Sequence, residues 1–158
     1  MASLTFLPFA LAIGIWVSWS DMKFMKIPNK AVMALAAVWV VVGLFVVPFD
    51  LWLWGLAFGA AALVVTFLAT MAGLIGAGDA KFAAAMAPFF VTADPRFVAA
   101  LFAACLLGAF VGHRSMRLIT PFRTATADWA SWTHKDFPMG LALSGTLIFY
   151  LATPLFNL

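Results

Sequence analysis

Residues 51–75, LWLWGLAFGAAALVVTFLATMAGLI, decide the fold. These 25 residues carry no charged side chain, and a helix needs about 20 apolar residues to cross the hydrocarbon of a bilayer. The rest of the chain repeats the theme. Of its 158 residues, 66% are hydrophobic and 9% charged, against about 25% charged in an ordinary soluble domain. So short a chain has too little interior to hide that much apolar surface, so lipid must be its main solvent.

Working outward, six apolar segments stand between polar connectors: Leu4–Trp19, Ala31–Phe49, Leu51–Ile75, Phe82–Val91, Phe97–Val111 and Met139–Leu155. The expectation is an all-α, polytopic membrane protein with about six transmembrane helices, forming a single domain over residues 1–158. The N-terminal run has no basic residue ahead of it, so it reads as a retained helix and not a signal peptide. Pro48-Phe49-Asp50 and Thr92-Ala93-Asp94-Pro95 carry turn chemistry for tight connections.

Charge orients the bundle. If all six segments span, one side collects Lys23, Lys26, Lys30, Lys81, Arg114, Arg117, Arg123 and Lys135, and the other has only Arg96. The basic side is cytoplasmic by the positive-inside rule, and both termini face outward. A re-entrant fourth segment would carry the Arg114–Lys135 loop across the membrane, so spanning is favoured. The basic residues form no stripe or basic helix face, which argues against nucleic acid. Cys105, the lone cysteine, lies in an apolar run, which excludes an intrachain disulfide and a cysteine-based zinc site. His113 and His134 fall in the 112–137 connector without carboxylate or cysteine at ligand spacing and read as plain loop residues. No metal is expected.

The chemistry rests on aspartates. The chain has six and no glutamate. Asp50 and Asp94 sit in outer turns, and Asp128 and Asp136 in the long inner loop. Asp21 and Asp79 each sit at the cytoplasmic end of an apolar segment, where a carboxylate is costly and marks a functional site. Each has a plain alternative. Asp79, within Gly76-Ala77-Gly78-Asp79-Ala80-Lys81, can N-cap the fourth helix beside a glycine kink. Asp21, opening Asp21-Met22-Lys23-Phe24-Met25-Lys26-Ile27-Pro28-Asn29, can be an interfacial helix-end carboxylate, with Asn29 capping the second helix. Taken together they are more specific. Both fall on one side at similar depth, although 58 positions separate them. Brought close by packing, the two carboxylates would share one proton, the arrangement of aspartic proteases.

The two stretches, Asp-x5-Ile-Pro-Asn and Gly-x-Gly-Asp-x-Lys, resemble the signatures of the type IV prepilin peptidases. The resemblance implies that Asp21 and Asp79 are catalytic, with Gly76, Gly78, Lys81, Pro28 and Asn29 supporting the substrate-facing loops. It also implies a prepilin or pseudopilin substrate whose short basic leader is cut after a glycine, and a bacterial inner-membrane location. Phe137-Pro138-Met139-Gly140 resembles a softer Pro-aromatic-Gly feature of the family, from which Met139 departs. Long members carry a cytoplasmic region with paired cysteines and N-methylate the product. Its absence here resembles the short, peptidase-only class of the tight-adherence (Flp) pili, so no S-adenosylmethionine or other cofactor is expected. Lys81 reads as a snorkelling anchor, or as a charge favouring ionised Asp79. Two competing readings are a small proton-coupled transporter or channel subunit with Asp79 as proton carrier, and a structural subunit. The first predicts polar residues continuing toward the outer face, where only scattered Ser, Thr and Gly occur. The second leaves the matched aspartate motifs unexplained.

Overall fold

The computed structural model describes residues 2–156, and among these it is all helical with no strand. Seven α-helices follow in order: α1 Ala2–Phe24, α2 Asn29–Val46, α3 Phe49–Met71, α4 Ala77–Met86, α5 Pro95–Leu118, α6 Thr120–Ala125 and α7 Met139–Ala152. Five of the hydrophobic segments become helices long and apolar enough to cross a membrane, the last of them including the 3₁₀ turn Thr153–Phe156 after α7.

The fourth segment differs. It forms α4 and a 3₁₀ turn, Ala87–Phe90, which together are shorter than the other spans. Protein surrounds it on several sides. α4 packs against α2, α3 and α7, and Phe82, Ala80, Ala84 and Ala85 are buried. A segment enclosed by protein does not need to match the thickness of the hydrocarbon alone. The fifth segment is longer than hydropathy marks it. α5 continues to Leu118, which corrects the reading of His113 as a loop residue. His113 is buried, stacked on Trp132 at 5.0 Å between centroids and meeting Phe137 edge-on at 5.9 Å.

Aromatic contacts lock the core. Phe6, Trp39 and Phe89 join α1, α2 and the turn after α4, with ring centroids 5.1–5.6 Å apart. Trp39 lies in a π-helical stretch of α2, Val38–Gly43. Widening a helix changes which carbonyls are satisfied, and a freed carbonyl is costly where water is absent. The Trp52 indole N–H meets this need, donating to the carbonyls of Trp39 and Val40 at 3.2 Å. Trp39 donates back to the Trp52 carbonyl at 3.3 Å. The indole of Trp39 occupies the space over Gly55, so that any side chain there would run into it.

Candidate active site

α1 ends where Met25 turns into the left-handed region, with φ 52°. That conformation is costly for a residue with a Cβ, and it stops the helix one turn beyond Asp21. Ser20 steadies the bend by donating its hydroxyl to the Lys26 carbonyl at 2.9 Å. Asp21 is thereby held on the last turn of α1, 5% exposed. Its Oδ2 accepts a hydrogen bond of 2.7 Å from the backbone N–H of Gly140. Gly140 lies in the first turn of α7, where amides have no partner within their own helix and attract negative charge. A Cβ at Gly140 would stand 2.9 Å from Asp21 Oδ2, 3.0 Å from Asp21 Cβ and 3.1 Å from Val17 Cγ1. All three distances are too short for a relaxed contact, so glycine is what lets the amide come this close.

Asp79 lies in the first turn of α4, whose N-cap is Gly76 with extended backbone angles. Asp79 is therefore not the cap residue, contrary to the simple capping alternative. A Cβ at Gly76 would sit 2.7 Å from Asp79 Oδ2, so the Gly76 backbone faces the carboxylate directly. Gly78 packs against Ile27, and a Cβ there would lie 3.4 Å from the Ile27 Cβ. The two sequence stretches are thus in contact. Lys81 adds a second link, donating from Nζ to Asn29 Oδ1 at 3.3 Å. Pro28, not Asn29, is the N-cap residue of α2, so the Asn29 side chain is free for that contact.

Both carboxylates line the same two adjoining cavities. One, of about 590 Å³, is bounded by Gly73–Gly76 on one side and His134–Phe137 with Met139 on the other. The second, of about 440 Å³, is bounded by Lys26–Asn29 and Gly76–Gly78. Met25 lines both. Asp79, outside the five long apolar helices, has its carboxyl pKa raised to about 6. Burial is the main cause and the neighbouring Asp21 charge the next, with the Gly76 backbone hydrogen bond opposing them. Two carboxyl groups so coupled titrate as a pair.

A model of the type IV leader peptidase family matches residues 8–113. The chain belongs to the type IV leader peptidase family. No curated protein and no solved structure matches it. The family match spans both aspartate stretches and stops short of α7. The Gly140 amide therefore reaches the site from outside the matched region.

In this leader-peptidase chain the end of the connector between α5 and α7, His134–Phe137, is part of the cavity wall. Lys23 Nζ pairs with Asp128 Oδ2 at 3.1 Å, pinning the connector to α1 near Asp21. Trp132 is buried and donates from Nε1 to the Thr126 carbonyl at 2.7 Å. His134 and Asp136, read from sequence as plain loop residues, line the larger cavity instead. The backbone N–H of Asp136 donates to His134 Nδ1 at 3.1 Å. Sequence reading missed Gly140 and Met25 as site residues. Gly140 had a signal, because it closes the Phe137–Gly140 stretch already singled out. Met25 had none.

Proposed function

We propose that the protein is a prepilin leader peptidase in which Asp21 and Asp79 form the catalytic dyad. The observation that carries this reading is the shared cavity. Two carboxylates from distant stretches of chain open onto the same space, Asp21 held by the Gly140 amide, where a Cβ would crowd it, and Asp79 beside the Gly76 backbone. Family membership supports it independently.

The chemistry needs one proton between the two groups. The ionised carboxylate removes a proton from water as its oxygen attacks the scissile carbonyl carbon, and the protonated one donates to the carbonyl oxygen. Collapse of the tetrahedral intermediate breaks the C–N bond, the amine takes a proton, and the pair returns with one proton. Gly140 orients Asp21 for this exchange, and the Asp21 charge keeps the proton on the pair. Gly76 and Gly78 leave room for an extended substrate strand, while Lys81, Pro28 and Asn29 hold the two stretches together.

The substrate is a prepilin with a basic leader that remains cytoplasmic, cut after the glycine ending that leader. The eight-to-one charge asymmetry supports a cytoplasmic position for both aspartates in a bacterial inner membrane, with both termini outside. The likeness of its two aspartate stretches to the tight-adherence class makes an Flp-type prepilin the substrate. A proton carrier would need a polar route beyond Asp79. The core past the dyad is largely Val17, Phe82, Leu143 and Leu147, and the buried hydroxyls of Ser144 and Thr146 there are accompanied by no buried carboxylate among the described residues, which favours hydrolysis.

The test is leader removal from a co-expressed prepilin. Asp21→Asn and Asp79→Asn should each lower processing by about 10²–10⁴-fold, the range for loss of a general acid or base. Processing at the wild-type rate by either variant refutes the assignment.

A further inference from the structure

A wedge-shaped concavity, of about 290 Å³, lies in the angle between α2 and α3. Val32 and Ala36 of α2 form one wall, Gly59 and Leu63 of α3 the other, and Ala84 and Ala85 of α4 the floor. α2 and α3 are joined by the tight Val47-Pro48 turn and pinned beside it by the reciprocal Trp39 and Trp52 indole hydrogen bonds. Trp39 closes that end of the wedge. Away from the pin α2 packs on α1 and α4 and makes little contact with α3, so the two helices part. Val40 and Leu63 on the rims are 44% and 49% exposed, and the open side faces lipid.

One charged side chain borders the wedge. Lys81 lies at its wide end, beside the start of α2, where its Nζ donates to Asn29 Oδ1 at 3.3 Å. An ammonium has three N–H donors, and Lys81 makes no salt bridge among the described residues. Asp79, two positions earlier, is turned about 200° around α4 and borders the dyad cavities, not the wedge. Lys30, exposed in the first turn of α2, adds a second cation at the same end. From Lys81 the floor runs to Pro88, in the 3₁₀ turn after α4, a span of about 11 Å at 1.5–2.0 Å per residue. Lys81 also borders the smaller dyad cavity, so the wedge meets the candidate active site at this residue.

A matching occupant is slender and apolar along the floor and anionic at the end where α2 begins. A helix, about 10–12 Å across with its side chains, is too thick for a wedge that narrows onto Trp39. A free anion makes no use of the apolar walls, and a zwitterionic headgroup brings its own cation against Lys81. We infer that the wedge between α2 and α3 binds one phospholipid with a net negative headgroup, its acyl chain along Ala84 and Ala85 and its phosphate on Lys81. Basic pockets between helices at a membrane face recognise such headgroups. The phosphate takes the donors that Asn29 leaves free, so the lipid is held by the same side chain that ties the two aspartate stretches together. The lipid site is independent of the peptidase chemistry.

The test places the diazirine analogue of leucine at Leu63, in the wedge, or at Leu107, a lipid-facing position on α5 that is 65% exposed. The full-length chain is reconstituted into vesicles of equal parts phosphatidylglycerol and phosphatidylcholine and irradiated, and its adducts are identified by mass spectrometry. Position 63 should capture phosphatidylglycerol about tenfold over phosphatidylcholine, a preference of about 1.4 kcal/mol, and position 107 should capture the two equally. Lys81→Met should bring the ratio at position 63 down to that at position 107, while Lys81→Arg, which keeps the charge, should preserve it. Equal ratios at the two positions in the otherwise unaltered chain, or a ratio that Lys81→Met leaves unchanged, overturn the site. So do loss of the adduct to added inorganic phosphate, which marks a free-anion site, and adducts formed mainly with a second copy of the chain.

Discussion

Replacing Asp79 by Asn should stabilise the folded protein at neutral pH even as it stops the chemistry. The folded-state carboxyl is raised from 3.8 to about 6, chiefly by burial. An acid whose pKa is higher in the folded state binds its proton more tightly there than when unfolded, so ionisation works against the fold. The cost is absent below about pH 4, grows as pH rises, and is complete above about pH 6. Its upper bound is roughly 3 kcal/mol, from the free energy equivalent of the raised pKa. Asn retains the shape and can still accept from the Gly76 amide, but it has no charge to desolvate. Thermal unfolding of the detergent-solubilised protein, followed by a thiol probe on Cys105 or by intrinsic Trp fluorescence, reads the difference. At pH 7 the Asp79→Asn variant should melt higher, by on the order of 5 °C, and the gap should close by pH 4. A variant less stable than wild type at pH 7, or a gap independent of pH, would refute the claim that Asp79 is a buried carboxyl held against its ordinary ionisation.

Gly140→Ala should lower kcat for leader removal by about 10–100-fold, or about 1.4–2.8 kcal/mol of barrier, because a Cβ there pushes on both Asp21 and Val17. A wild-type rate would show that the amide does not position the dyad. Gly55→Ala, which meets the Trp39 indole far from the site, should cost roughly 1–3 kcal/mol of stability by overpacking. Its kcat per folded molecule should match wild type, measured by rate normalised to the correctly folded fraction.

Much of the site was legible because chemistry that is expensive in lipid leaves marks in a sequence. Asp21 and Asp79 stood out as carboxylates at the ends of apolar runs, and charge asymmetry put them on one side. The helices around them followed from the lengths of those runs. What was illegible depended on the backbone or on distance. The Gly140 amide meets Asp21 across 119 positions, and nothing in a single sequence marks which N–H points at which oxygen. α5 outlasted its hydropathy because His113, Arg114 and Arg117 can reach the interface or stack on aromatic rings while the backbone stays helical. The π-helical stretch Val38–Gly43 is a run of ordinary apolar residues, and only the Trp52 indole facing it explains how the widened turn is tolerated.

The short hydrogen bond between Gly140 and Asp21 also divides the chain into parts that can drift and a part that cannot. The connector between α5 and α7 can gain or lose residues at exposed turns that do not line the cavity, because slack there is absorbed before Pro138. Shifting α7 by a single residue turns its first amide about 100° and moves it 1.5 Å along the axis, which breaks a 2.7 Å contact. Insertions and deletions should therefore be tolerated at those turns and rejected immediately after Phe137. A fragment ending before α7 would keep both aspartates yet leave one of them with an oxygen facing nothing.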